Sequence, residues 1–116
     1  MKKINIKPLS VNQCFKGRRF KTPLYKQYEL NLFALLPRMK LPEPPFKVFY
    51  EFGFSNYASD IDNPVKPFTD VLQKKYKFDD KLIEEMVLVK KKVKKGEEYI
   101  KFKIINNYGK QISSRI

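Results

Sequence analysis

The stretch Phe46-Lys47-Val48-Phe49-Tyr50-Glu51-Phe52-Gly53-Phe54 decides the fold. Phe46, Val48, Tyr50, Phe52 and Phe54 share one parity, the period of a strand with one strongly apolar face. This segment is read as the central strand. Downstream, Asn63 and Pro64 open a helix whose apolar set is Val65, Phe68, Leu72 and Tyr76, at steps of three and four. Pro67 falls within it, so a regular helix is expected to begin only after that residue. Met86 to Val93 reads as a strand, Lys94, Lys95 and Gly96 as a turn, and Ile100, Phe102 and Ile104 as the returning strand of a hairpin.

Upstream, Ile4 and Ile6 suggest a short strand closed by Pro8. Thr22 and Pro23 supply an N-cap and a first-turn proline for a helix with a buried stripe of Tyr25, Tyr28, Leu32, Leu35 and Leu36, ended by Pro37. The proline-rich turn Leu41 to Pro45 leads into the central strand. These elements predict a small single α+β (mixed α/β) domain over residues 1–105: a mixed sheet with a C-terminal hairpin, packed against two main helices. A polar C-terminal tail is expected over residues 106–116.

The 116 residues suffice for one core, and lysine plus arginine outnumber acids 25 to 12, a net charge of +13. So large an excess on a small body points to a polyanionic partner, with nucleic acid first. With no histidine in the chain, a histidine base, a Ser-His-Asp triad and a His-ligated zinc site are excluded. The lone Cys14 rules out a disulfide framework and fits a reducing compartment. The basic Met1 to Lys7 is followed by no apolar run of signal-peptide length, so a soluble intracellular protein is expected. A membrane-surface role is disfavoured because the cations form no basic amphipathic helix.

All five aspartates fall between Asp60 and Asp80: Asp60, Asp62, Asp70, Asp79 and Asp80. Grouped carboxylates repel one another and repel phosphate unless a cation sits among them. An oxygen-only set favours magnesium or manganese over zinc. Asp60 and Asp62 flank Ile61, so an extended backbone would send both carboxylates to one side and Ile61 toward the core. Lys66 and Asp70 lie one helical turn apart and could face that pair. The same residues also read as a solvated loop with an N-cap, with Asp79 and Asp80 capping a short helix near Lys81. Basic candidates for phosphate contact are Lys16, Arg18, Arg19 and Lys21, set around Gly17 between Phe15 and Phe20, and Lys90, Lys91, Lys92, Lys94 and Lys95.

The string Asp60-Ile61-Asp62-Asn63, then Lys66, then Asp70-Val71-Leu72, then Asp79-Asp80 before an apolar strand resembles the core of the RusA-type Holliday junction resolvases. The match in order and spacing covers Asp60 to roughly Ile104, with a weaker similarity through the N-terminal strand, basic loop and first helix. The resemblance implies that Asp60, Asp62 and Asp80 are metal-coordinating catalytic carboxylates and Lys66 the active-site lysine. Asp70 and Asp79 would be supporting acids, and the roles of Asp79 and Asp80 exchange if the register slips by one. It further implies Mg²⁺ (or Mn²⁺) as cofactor and paired nicks in four-way DNA during recombination and repair. An intertwined homodimer would present two symmetry-related sites to the junction. The setting would be a bacterial cytoplasm, host or phage origin being open. The alternatives are a non-catalytic basic DNA- or RNA-binding module and a basic protein-interaction factor.

Overall fold

The computed structural model describes residues 1–18, 20–56 and 58–108. Strands β1 (Lys2–Ile4), β2 (Phe15–Lys16), β3 (Phe20–Lys21), β4 (Phe46–Phe54), β5 (Ile83–Lys92) and β6 (Tyr99–Asn106) accompany helices α1 (Pro23–Leu35) and α2 (Val65–Tyr76). β2 and β3 form a two-stranded ribbon, and the other four strands form one mixed sheet in the order β1-β6-β4-β5. The fold is a single α+β domain, as the periodicities predict.

β4 is central, and its five apolar residues of one parity are all buried. It pairs antiparallel with β6, Tyr50 opposite Phe102 and Phe52 opposite Ile100, and parallel with β5, Tyr50 opposite Leu88. Parallel neighbours need a long crossover, and α2 supplies it between β4 and β5. The expected C-terminal hairpin is therefore not formed: β5 and β6 are antiparallel, but β4 lies between them. The turn signal was local, whereas the pairing partner was not. The Val93–Glu98 connection arches over the end of β4, where the Val93 amide donates to the Phe54 carbonyl at 2.8 Å and the Ser55 hydroxyl to Glu98 at 2.8 Å. Two strand spacings amount to only about 10 Å, a span that a six-residue connection covers as easily as one.

Pro67 does not delay α2, which is regular from Val65. It sits in the first turn, where the missing N–H would be an orphan in any case. The Asn63 carbonyl accepts instead from the Val11 amide at 2.9 Å, which fastens the N-terminal segment to the start of the helix. In α1 the Thr22 hydroxyl accepts from the Tyr25 amide at 3.1 Å, the expected cap. Tyr25, Tyr28, Leu32 and Leu36 are buried, but Leu35, assigned to the stripe, is 50% exposed because Leu36 takes the core-facing position. β5 starts at Ile83, earlier than Met86. β6 includes Asn106, whose amide donates to the Glu43 carbonyl at 2.6 Å, while the Asn107 backbone N–H donates to the Pro45 carbonyl at 2.9 Å. Among the described residues no helix is long and apolar enough to cross a membrane.

Phe68 of α2 is the packing centre. Fully buried, it meets Tyr50, Phe52 and Phe102 edge-on, at ring centroid distances of 4.9, 6.0 and 5.6 Å. Truncating such an aromatic leaves a cavity ringed by other aromatics that cannot collapse into it. Phe68→Ala should cost about 3–5 kcal/mol, read as a lowered urea midpoint with an unchanged denaturant slope.

Candidate active site

Three segments meet beside the N-terminus of α2. The first is the Asp60–Pro64 turn, closed by Asn63 N–H to Asp60 O at 3.2 Å and Val65 N–H to Asp62 O at 3.1 Å. The backbone here is a turn and not the extended segment expected, so Ile61 is 39% exposed and does not enter the core. Asp60 and Asp62 are both exposed, just ahead of a helix N-terminus whose dipole favours negative charge.

The second segment is the polar face of α2, and the third is the start of β5. Between them lies a cleft of about 280 Å³ lined by Lys66, Thr69 and Asp70 from the helix and by Asp80, Glu84 and Glu85 near the strand, with Val65, Ile83 and Met86 as its apolar walls. The structure thus brings Lys66, Asp70 and Asp80 together; Asp60 and Asp62 are not among the lining residues. Lys66 Nζ stands 3.4 Å from Asp70 Oδ1, but its side chain is 67% exposed, so the pair itself adds little stability.

Gln73, which carried no sequence signal, ties the cleft together. Its amide donates to Asp70 Oδ1 at 3.3 Å, and its carbonyl oxygen accepts from the Asp80 backbone N–H at 2.9 Å. Asp79 and Asp80 then separate in role. The Asp79 carboxylate accepts from the Lys81 amide at 3.0 Å and caps the 3-10 turn over Asp80–Leu82, as the capping alternative required. Asp80 is left to the cleft. Glu84 and Glu85 were also missed, because the strand was read as starting after them. Glu84 accepts from the Tyr108 hydroxyl at 2.8 Å, and Glu85 pairs with Lys47 at 3.1 Å.

Among the described residues no three Asp, Glu, Cys or His side chains stand close enough together to hold one metal ion. Magnesium does not need three, since it is usually held by one or two carboxylates, with water and substrate phosphate completing the shell. The all-oxygen donors of the cleft fit such an ion, with Asp80 and Asp70 as the residues that would hold it. Cys14 is no nucleophile: it is buried, and burial, followed by the charges of Asp70 and Glu29, pushes its thiol up to about 11.

The basic ribbon of β2 and β3 adjoins this cleft through Tyr25. The Phe15 ring packs edge-on against Tyr25 at 5.6 Å, and the Tyr25 hydroxyl donates to Asp70 Oδ2 at 3.5 Å. Lys16 and Arg18 are exposed on the ribbon, with Phe20 beside them; Arg19 lies outside the described residues. Lys21 differs from expectation, because its ammonium is engaged by both Glu29 oxygens, at 2.9 and 3.0 Å, and so is committed inside the protein. Lys90 donates to the carbonyl of Ser59, just before the Asp60 turn, and so positions that loop. Lys91, Lys92, Lys94 and Lys95 are exposed at the far end of β5 and in the loop after it.

Glu29 also accepts from Lys74 at 2.6 Å, joining the ribbon, α1 and α2. Burial alone would raise its pKa, but the hydrogen bonds from Lys74 and Lys21 outweigh burial and hold it below the ordinary carboxylate value. A depressed carboxyl gives its full contribution above its unfolded pKa and loses it as pH falls through the folded one. Glu29→Gln should therefore be less stable than the parent at neutral pH, and the gap should close below the ordinary carboxylate range; thermal melts across pH measure it. No protein-family model matches this chain, and no curated protein is found to match it.

Proposed function

We propose that this protein is a metal-dependent, structure-selective endodeoxyribonuclease of the RusA-type resolvase kind, cutting four-way DNA by paired nicks from two subunits. The observation that carries the reading is the cleft itself: in a chain of net charge +13, Lys66, Asp70 and Asp80 share one recess, next to the Asp60 turn and the basic ribbon. Nothing in the fold requires carboxylates to gather there. A structural acid in so basic a protein is more economically placed beside a lysine, as Glu29 is beside Lys21 and Lys74.

The cleft supports the following division of labour. Asp80 and Asp70 would hold magnesium, which when bound polarises the scissile phosphate and supplies an activated water without a histidine. Asp60 and Asp62 stand exposed in the turn ahead of the helix, outside the lining of the cleft, and take no part in holding that ion in this arrangement. Lys66, on a long mobile side chain, is placed to offset the negative charge that grows on the phosphoryl oxygens. Gln73 keeps Asp70 and the Asp80 backbone in register. Lys16 and Arg18 on the ribbon, with Lys91, Lys94 and Lys95 beyond β5, contact the sugar-phosphate backbone, which fixes position without reading sequence.

Two experiments test this reading. A labelled synthetic four-way junction should be nicked with Mg²⁺ or Mn²⁺ and not in excess EDTA. Asp80→Asn should abolish cutting while junction binding persists, whereas Asp79→Asn, which keeps a side-chain cap, should cleave at the parental rate. If the two variants behave alike, the separation of their roles is wrong; if the parent binds junctions but never cuts them, the protein is a binding module.

Lys66→Ala should lower single-turnover cleavage by on the order of a hundredfold, as for loss of one electrostatic contact to a transition state. Thermal stability should barely change, because an exposed i,i+4 pair contributes well under about 1 kcal/mol. Near-normal cleavage would remove Lys66 from the site and leave the carboxylates standing.

A further inference from the structure

β5 reads Ile83-Glu84-Glu85-Met86-Val87-Leu88-Val89-Lys90-Lys91-Lys92: acids at its start, apolar residues at its centre, lysines at its end. It is an edge strand of ten residues, hydrogen-bonded on one side to β4, and no described residue pairs with its other side. The opposite edge strand, β1, has only three. A long edge with an apolar centre and neither proline nor inward charge there is a template for another strand. Val87 and Val89 point away from the helices, on the face opposite the core cluster, and are only half-buried; Met86 is exposed.

We propose that β5 pairs antiparallel with β5 of a second copy, about a two-fold axis at Leu88. A two-fold axis normal to the sheet preserves its faces, so facing residues must share parity, and the axis passes through a residue. Glu84 is the extra residue of a bulge, since Phe46 pairs with Ile83 and Lys47 with Glu85, so regular alternation begins at Glu85. Centred on Leu88, Glu85 faces the partner's Lys91, Met86 faces the partner's Lys90 and Val87 faces the partner's Val89. Centring on Val87 sets Glu85 against a valine and Lys91 against an isoleucine. Centring on Val89 sets Val87 against a lysine and Glu85 against Val93. Of these three registers, only the one centred on Leu88 opposes Glu85 with a lysine and keeps Val87 against a valine. Opposite charges directly across a strand pair favour it, and the slipped registers lose them.

The interface deepens the two-subunit part of the reading above, and rests on it only for its use. Glu85 is among the residues lining the cleft, so the partner's Lys91 would stand at the rim of each acidic recess. The two clefts would open on one face of a continuous sheet, separated along the strands by about 20 Å, the run from Glu85 to Lys91 at roughly 3.3 Å per residue. That places two nucleolytic sites on one side of the assembly, where both can meet one branched substrate.

The test uses the full chain without nucleic acid, by sedimentation equilibrium, with hydrogen exchange of the β5 amides as a second readout. The parent should be a dimer, with β5 protection rising with protein concentration. Lys91→Glu, whose neighbour on β4 is Gly53, should weaken association by on the order of tenfold or more, because two opposed pairs become repulsive. Adding Glu85→Lys should restore the dimer. A parent that stays monomeric, a dimer indifferent to Lys91→Glu, or no rescue in the double variant would overturn the interface. So would β5 amides protected equally at every concentration, since the chain's own residues would then cover the edge. A dimer of this register that never cuts junctions keeps the interface and removes the nuclease reading; a cutting monomer does the reverse.

Discussion

The seating of Phe68 on β4 is the contact from which the rest of the architecture follows. Its ring, met edge-on by Tyr50, Phe52 and Phe102, fixes α2 across the two central strands. Thr69, the next residue, then reaches the Tyr50 hydroxyl at 3.0 Å, a buried bond that sets the rotation of the helix about its axis. With that rotation set, Lys66 and Asp70 line the cleft at the start of β5. The cleft is thus a by-product of how the core is packed. A helix packed through apolar contacts alone could roll by tens of degrees; a buried hydroxyl pair that must stay satisfied limits such rolling.

Charge is the second constraint. The carboxylates of this chain divide by job. Glu29 binds Lys21 and Lys74, Glu51 accepts from Tyr99 at 2.5 Å and stands 3.7 Å from Lys101, and Glu98 accepts from Ser55. Those carboxylates are spent on holding segments together. Asp79 is spent on a cap. Asp60 and Asp62 stay exposed in the turn ahead of α2, while Asp70 and Asp80, with Glu84 and Glu85, line the cleft beside Lys66. Phosphate would be attracted to the surrounding lysines and repelled at the cleft. A divalent cation reverses that local sign, and so does the close approach of a lysine such as Lys66.

Much of this was legible in the sequence where the signal is local. The alternation in β4, the helical spacing in α2 and the Thr22-Pro23 start of α1 each depend on residues within one element, and each element formed where expected. The hairpin failed for the opposite reason. A turn at Lys94-Lys95-Gly96 says that the chain reverses, and it does, with Gly96 at a φ of +93°, but it does not say which strand lies alongside. The apolar demand of β4 for two neighbours decided that. Pro67 was judged by its residue type, when its position in the first turn made it harmless. Leu35 and Leu36 compete for one core position, and periodicity does not choose between adjacent leucines.

The site was legible in its residue types and less so in its geometry, because the latter depends on contacts between elements distant in sequence. The Asp60-Ile61-Asp62 spacing suggested an alternating strand, but Asn63 and Pro64 favour a turn, and two backbone hydrogen bonds to the Asp60 and Asp62 carbonyls close one. Asp79 and Asp80 are adjacent and identical in chemistry, and only the capped turn distinguishes them. Lys21 looked equivalent to Lys16 and Arg18 until α1 placed Glu29 within reach of it. Gln73 is the plainest case. A glutamine on a helix has no periodic signal, but its two-ended amide is the one group that can accept from the Asp80 backbone while donating to Asp70. Substituting glutamate would keep the acceptor and lose the donor, turning a clamp into a further repulsive charge beside Asp70. The chemistry of this cleft therefore depends on a neutral residue as much as on its charged ones.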